Sequence, residues 1–164
     1  MDNKQNKKDY IVSRLKDIFE GNRLQDCYVF GNSLAMRIGD WILELPPTWR
    51  LLDYDIPVLG SGDVYPPDDE NNTRYDYNQS IKILNDNIKS ILECSIFKIE
   101  VGRFNDLNIV FSSGICVQYY SDVVICKNEY YARLFNKDIA FEARLGCGFV
   151  LISEGKKGNA YHSG

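Results

Sequence analysis

Ile11, Val12, Leu15, Ile18 and Phe19 recur at the spacing of one helical face, and Gly21 follows where a helix end favours a residue tolerant of positive φ. The pattern predicts a first amphipathic helix over about Lys7 to Glu20. The period then shortens. Leu24 to Phe30, Leu34 to Ile38 and Trp41 to Leu45 are short apolar or alternating runs separated by Gly31-Asn32 and Gly39-Asp40, the signature of a small antiparallel meander. Pro46 and Pro47 are expected to end it. From there to about Tyr77 the chain is rich in Pro, Gly, Asp and Asn and keeps neither period, so a long loop is expected over about 53–77. Loops of that length in compact domains usually serve a function or stay flexible.

A second helix is expected from a cap at Asn78 or Ser80. It sets Ile81, Leu84, Ile88, Ile91 and Leu92 on one face and Lys82, Asn85, Asp86 and Lys89 on the other. Strands follow at Ile96 to Val101, Leu107 to Phe111 and Ile115 to Tyr120, with Ser112-Ser113-Gly114 as the turn between the last two. Further strands are predicted at Val123 to Cys126, Tyr130 to Phe135, Ile139 to Leu145 and Phe149 to Ile152, ahead of a polar tail from Glu154.

The two hairpin regions echo each other. Leu34, Met36 and Ile38, then Gly39 and Trp41-Ile42-Leu43, correspond to Leu107, Ile109 and Phe111, then Gly114 and Ile115-Cys116-Val117. Each is followed later by an aromatic residue and an Arg-Leu pair, Trp49-Arg50-Leu51 and Tyr131 to Leu134. Two readings stand: hairpins that merely look alike, or two helix-plus-sheet halves. The second predicts an α+β fold with a curved, mainly antiparallel sheet, a half-barrel, packed with two principal helices.

Composition supports one folded unit. The 164 residues are 45% hydrophobic and 13% aromatic, enough apolar surface for a single domain spanning 1–164. With 19 basic against 23 acidic residues the net charge is −4 and the pI near 5.0, which disfavours binding to a nucleic-acid backbone. Cys27, Cys94, Cys116, Cys126 and Cys147 never fall at zinc-knuckle or redox spacing and are expected to be reduced, small apolar residues. No apolar segment follows Lys4, Lys7 and Lys8 as in a signal peptide, and no run reaches the roughly 18 apolar residues of a membrane span. A cytoplasmic protein without membrane attachment is expected.

Reactive motifs are sparse. The one histidine, His162, lies in the polar tail without neighbours to orient it, which disfavours Ser-His and Cys-His hydrolase chemistry and most zinc sites. Gly146-Cys147-Gly148 lacks the helix that follows a nucleophile elbow and reads as a strand break. Gly60-Ser61-Gly62 runs into Asp63 and Pro66 rather than a helix N-terminus, so it does not suit phosphate. Asp68-Asp69-Glu70 lacks the alternation and central glycine of a calcium loop. No metal or cofactor is expected. Trp41, in an alternating strand, is expected in the core; Trp49 fits either the end of the sheet or an interface.

Charge is concentrated instead. Between Asp53 and Asp76 seven carboxylates face the single cation Arg74, a local charge of −6. Asp53, Asp55, Asp63, Asp68, Asp69 and Glu70 are the expected electrostatic contacts to a basic protein, and Tyr54 and Tyr65 the expected anchors, because rigid aromatics lose little entropy on docking.

The stretches Ser33-Leu34-Ala35-Met36-Arg37-Ile38-Gly39-Asp40-Trp41 and Asp106-Leu107-Asn108-Ile109-Val110-Phe111-Ser112-Ser113-Gly114 resemble the hairpin regions of small immunity proteins from bacterial contact-dependent inhibition and related polymorphic toxin systems. The resemblance implies a non-enzymatic inhibitor that binds one cognate toxin domain, commonly a nuclease, and covers its active site or substrate surface. It carries over no catalytic residue. The other readings are a small-molecule-binding barrel, an enzyme using carboxylates and tyrosine, and an adaptor that binds by strand addition.

Overall fold

The computed structural model describes residues 3–64, 74–121, 131–138, 141–145 and 148–155. Helix α1, Asn3–Phe19, buries Ile11, Leu15 and Phe19, one residue per turn on one face. The meander is β1 (Asp26–Phe30), β2 (Ser33–Ile38) and β3 (Trp41–Leu45), joined by two-residue turns in which Gly31 and Gly39 take positive φ. The chain resumes as β4 (Trp49–Asp53) and β5 (Ile56–Gly60), followed by a 3-10 turn at Ser61–Val64. Helix α2, Arg74–Leu92, leads to β6 (Ile96–Val101), β7 (Leu107–Phe111) and β8 (Ile115–Tyr119), then β9 (Ala132–Asn136), β10 (Phe141–Leu145) and β11 (Val150–Glu154).

The expected α+β class, mainly antiparallel with two principal helices, is what the structure shows. The strands form two open sheets, β1-β2-β3-β9-β10-β11 and β5-β4-β8-β7-β6, and every pairing is antiparallel. The stretch after Pro46-Pro47, expected to keep neither period and to form one long loop, contains β4, β5 and the 3-10 turn. Pro57 is tolerated there because β5 is an edge strand, where a missing N–H breaks no central ladder. Helix α2 begins at Arg74, ahead of both predicted caps. The strand predicted at Val123 to Cys126, His162, and Gly146-Cys147 lie outside the described residues.

The two sheets are built on one plan, and each half completes the other. A helix and a three-stranded meander occur twice, α1-β1-β2-β3 and α2-β6-β7-β8. The hairpin that follows each meander crosses to the other sheet: β4 pairs with β8, and β9 pairs with β3. Registers match in detail. Leu51 faces Val117 as Leu134 faces Leu43, and Arg50 faces Gln118 as Arg133 faces Glu44. Even the turn contacts repeat, with Tyr54 N–H donating to Gly114 O (3.4 Å) and Lys137 N–H to Asp40 O (2.7 Å). The echo of Trp49-Arg50-Leu51 with Tyr131 to Leu134 thus marks the two crossing hairpins.

Alternation along the strands directs one face of each sheet into a shared apolar core, joined by Phe19 of α1 and Ile91 of α2. Trp49, Tyr119 and Phe111 are among its largest fully buried side chains, and Trp49 Nε1–H donates to Asn32 O at 2.7 Å, tying β4 to the β1–β2 turn. Trp49 is therefore a core residue. Trp41 is half-buried at the margin of the core, edge-on to Phe141 (5.3 Å) and beneath the Arg14 guanidinium.

Candidate functional site

The β4–β5 turn carries the part of the predicted acidic surface that the structure describes most fully. Asp53 pairs with Ile56, leaving Tyr54 and Asp55 as a two-residue turn with φ of 47° and 75°. Such a turn requires positive φ at both central residues and favours Asn-Gly, because a side chain there crowds the backbone. Tyrosine in this position is unusual, and the fold accommodates it. Its ring lies against Gly114, where an added Cβ would sit 2.5 Å from the ring Cζ. Gly114, at φ +91°, supplies both the conformation and the space that only glycine offers.

Tyr54 nevertheless stays 72% exposed, resting on Gly114 rather than buried. Asp53 and Asp55 flank it, both exposed, and neither forms an ion pair among the described residues. Ile56, 69% exposed, adjoins the turn, while Phe97, 70% exposed, lies at the same end of the five-stranded sheet but on its opposite edge strand, within the bulge between Ile96 and Lys98. That end combines unpaired carboxylates with exposed large apolar side chains, the composition of a protein-docking surface.

The structure does not gather all the predicted contacts here. Asp63 stands beyond the opposite end of β5, and its Oδ2 accepts the Gly60 N–H at 2.7 Å, so it serves the 3-10 turn and blunts the sheet edge. Tyr65, Asp68, Asp69 and Glu70 lie outside the described residues. Ile56 and Gly114 belong to the surface and were not predicted. The one signal for them was the pairing of Ser112-Ser113-Gly114 with a turn, which does not say what lies on top of it.

A second polar cluster occupies the outer face of the six-stranded sheet. Arg133 reaches Glu44 at 2.9 Å and Glu142 at 3.6 Å, while the Arg144 guanidinium lies over the Tyr131 ring at 4.6 Å. These groups line a shallow cleft of about 310 Å³ with Phe30, Ser33 and Pro46. Its counterpart on the other sheet is the Arg50–Gln118 hydrogen bond at 2.8 Å. Recurrence at equivalent places marks these pairs as cross-strand ties, each worth a fraction of a kcal/mol to about 1 kcal/mol. They were hidden in the sequence because the pairing of β3 with β9 is not local.

Burial pushes the Cys27 thiol up to about 12 and the Cys116 thiol up to about 11, so both are protonated near neutral pH and poor nucleophiles. Among the described residues no three His, Cys, Asp or Glu side chains are gathered to hold a metal ion, and no helix is long and apolar enough to cross a membrane. No protein-family model matches the chain, and neither a curated protein nor a solved structure matches it significantly.

Proposed function

We propose that the protein is a non-enzymatic inhibitor of the immunity type, neutralising a basic toxin domain such as a nuclease by covering its active site or substrate surface. The observation that carries this reading is the β4–β5 turn: an exposed tyrosine held against Gly114 between two unpaired carboxylates. Nucleases present cations to phosphate, and Asp53 and Asp55 would meet that surface while Tyr54 fills a pocket beside it. An aromatic that already rests on Gly114 in the free protein loses less entropy on binding than an unsupported one, which favours a slow off-rate. A carboxylate–tyrosine enzyme would place these groups within a cleft; here they project from a turn.

The test is titration of the full chain against the product of the immediately upstream gene, with inhibition of any toxicity of that product as a second readout. Tyr54→Ala should weaken binding by about 30-fold, the effect of a moderate hot spot. Asp53→Lys with Asp55→Lys should slow association about 10- to 100-fold at low salt, and the difference should shrink in about 0.5 M salt. Binding that ignores both changes would refute the contact assignment. Turnover of a metabolite by the purified chain, abolished by one side-chain substitution, would overturn the whole reading.

A further inference from the structure

The shared plan makes β1 and β6 equivalent edge strands, with Cys27 matching Ile99, yet the two edges are finished differently. The chain leaving α1 seals β6. Gly21 N–H donates to Ile96 O (2.7 Å), Ile96 N–H donates to Asn22 O (2.9 Å), and Glu20 Oε1 accepts the Ile99 N–H (2.7 Å). The residues leaving α2 do not do this for β1. Glu93 and Cys94 N–H groups turn back to Lys89 O and Ile91 O instead.

The Gly31-Asn32 turn fixes which groups of β1 face outward. In a two-residue hairpin the residues flanking the turn bond to each other, so Phe30, Tyr28 and Asp26 point their polar groups at β2. Buried Cys27 and half-buried Val29 therefore direct N–H and C=O away from β2, and no described residue hydrogen-bonds them there. Beside that edge runs a groove of about 450 Å³ between β1 and α2, walled by Cys27 and Val29 on one side and Tyr77, Ile81 and Ile88 on the other.

We propose that β1 accepts a strand from a partner protein: an extended, uncharged segment of alternating apolar residues, antiparallel to β1, with every second side chain in the α2 groove. Two donors and two acceptors repeating about every 7 Å match an extended main chain and not a compact ligand. At the equivalent edge the fold satisfies β6 from within, through a short parallel bridge at Glu20 and Ile96 and the Glu20 carboxylate on the Ile99 N–H. The apolar wall of Ile81 and Ile88 sets the chemistry of the occupant. This edge belongs to the other sheet from the Tyr54 turn and does not depend on what that turn binds.

The experiment uses the full chain and a random 12-residue peptide display library, followed by NMR with the synthesised winner. In the free protein the Cys27 and Val29 amides should exchange at least about 100-fold faster than Ile99, as open and bonded amides do. Selected peptides should alternate in polarity, shift the Cys27 and Val29 resonances and slow their exchange. N-methylation at alternate peptide positions should weaken binding at least about 10-fold, as should Ile88→Glu. Asn85→Trp, which fills the groove from an exposed position, serves if Ile88→Glu fails to fold. Asp53→Lys with Asp55→Lys should bind the peptide unchanged, which separates this proposal from the preceding one. Cys27 and Val29 amides as protected as Ile99 in the free protein, no enriched peptide, or peptides indifferent to N-methylation and to both groove variants would overturn it.

Discussion

Replacing Gly114 by alanine tests the link between the Tyr54 turn and its support. At φ +91° an alanine backbone is strained by about 1–2 kcal/mol. The new methyl would also meet the Tyr54 ring at 2.5 and 2.7 Å, closer than real Cβ contacts come, so one of them must move. Because Tyr54 is 72% exposed, its ring can swing into solvent. The loss is then the little more than a quarter of its surface that was covered, at most about 1 kcal/mol for some 50 Å² of apolar area. The sum is about 1–3 kcal/mol, a fall in Tm of roughly 2–12 °C for a chain of this size. Urea unfolding followed by far-UV circular dichroism measures it, provided the m-values agree. Tyr54→Ala alone should cost little, and in that background Gly114→Ala should lose only the backbone part, about 1–2 kcal/mol. A Gly114→Ala protein as stable as the parent, or one whose cost is the same in both backgrounds, would refute the reasoning.

Trp49→Phe should destabilise by about 2–4 kcal/mol in urea, since it leaves a void in a fully buried site and strips the Asn32 carbonyl of its donor. Glu20→Ala should cost about 1–3 kcal/mol and speed exchange of the Ile99 amide, while Glu20→Gln, which keeps an acceptor, should recover most of the loss. The buried thiols favour the folded state fully below their ordinary value of 9.0; that contribution should drain away as pH rises through about 11 for Cys116 and about 12 for Cys27, because only the unfolded chain ionises first. Urea midpoints measured from pH 8 to 11 should fall less steeply in Cys27→Ala than in the parent. At pH 8 native Cys27 should react with a disulfide reagent at least about 100-fold more slowly than in urea.

What could be read from the chain and what could not divide along one physical line. Burial periodicity is local, so α1, the first meander and β6 to β8 were legible to within a few residues. Partner choice is not local. Nothing in Trp49-Arg50-Leu51 says that it will lie against β8 rather than extend the first meander past Pro46-Pro47. Strand β5 was hidden because Pro57 and Gly60 carry loop chemistry, which an edge strand tolerates and a central one does not. The Tyr54-Asp55 turn was hidden for a related reason: tyrosine is a poor turn residue at positive φ, and its justification, Gly114, lies sixty residues away. The acidic run and the exposed tyrosine were visible as composition. That Asp63 would be consumed by the Gly60 N–H while Asp53 and Asp55 find no ion pair among the described residues is a matter of geometry.

The crossing of β4 onto β8 and of β9 onto β3 has an evolutionary consequence. A chain of half this length, one helix followed by five strands, would reach the same architecture only as a homodimer whose subunits exchange their last hairpins. Joining two such copies end to end makes assembly independent of concentration and frees the copies to diverge. Among the described residues the margin beside Glu20 is sealed and its equivalent beside Cys27 is not, the kind of difference that two joined halves can carry and two identical subunits cannot.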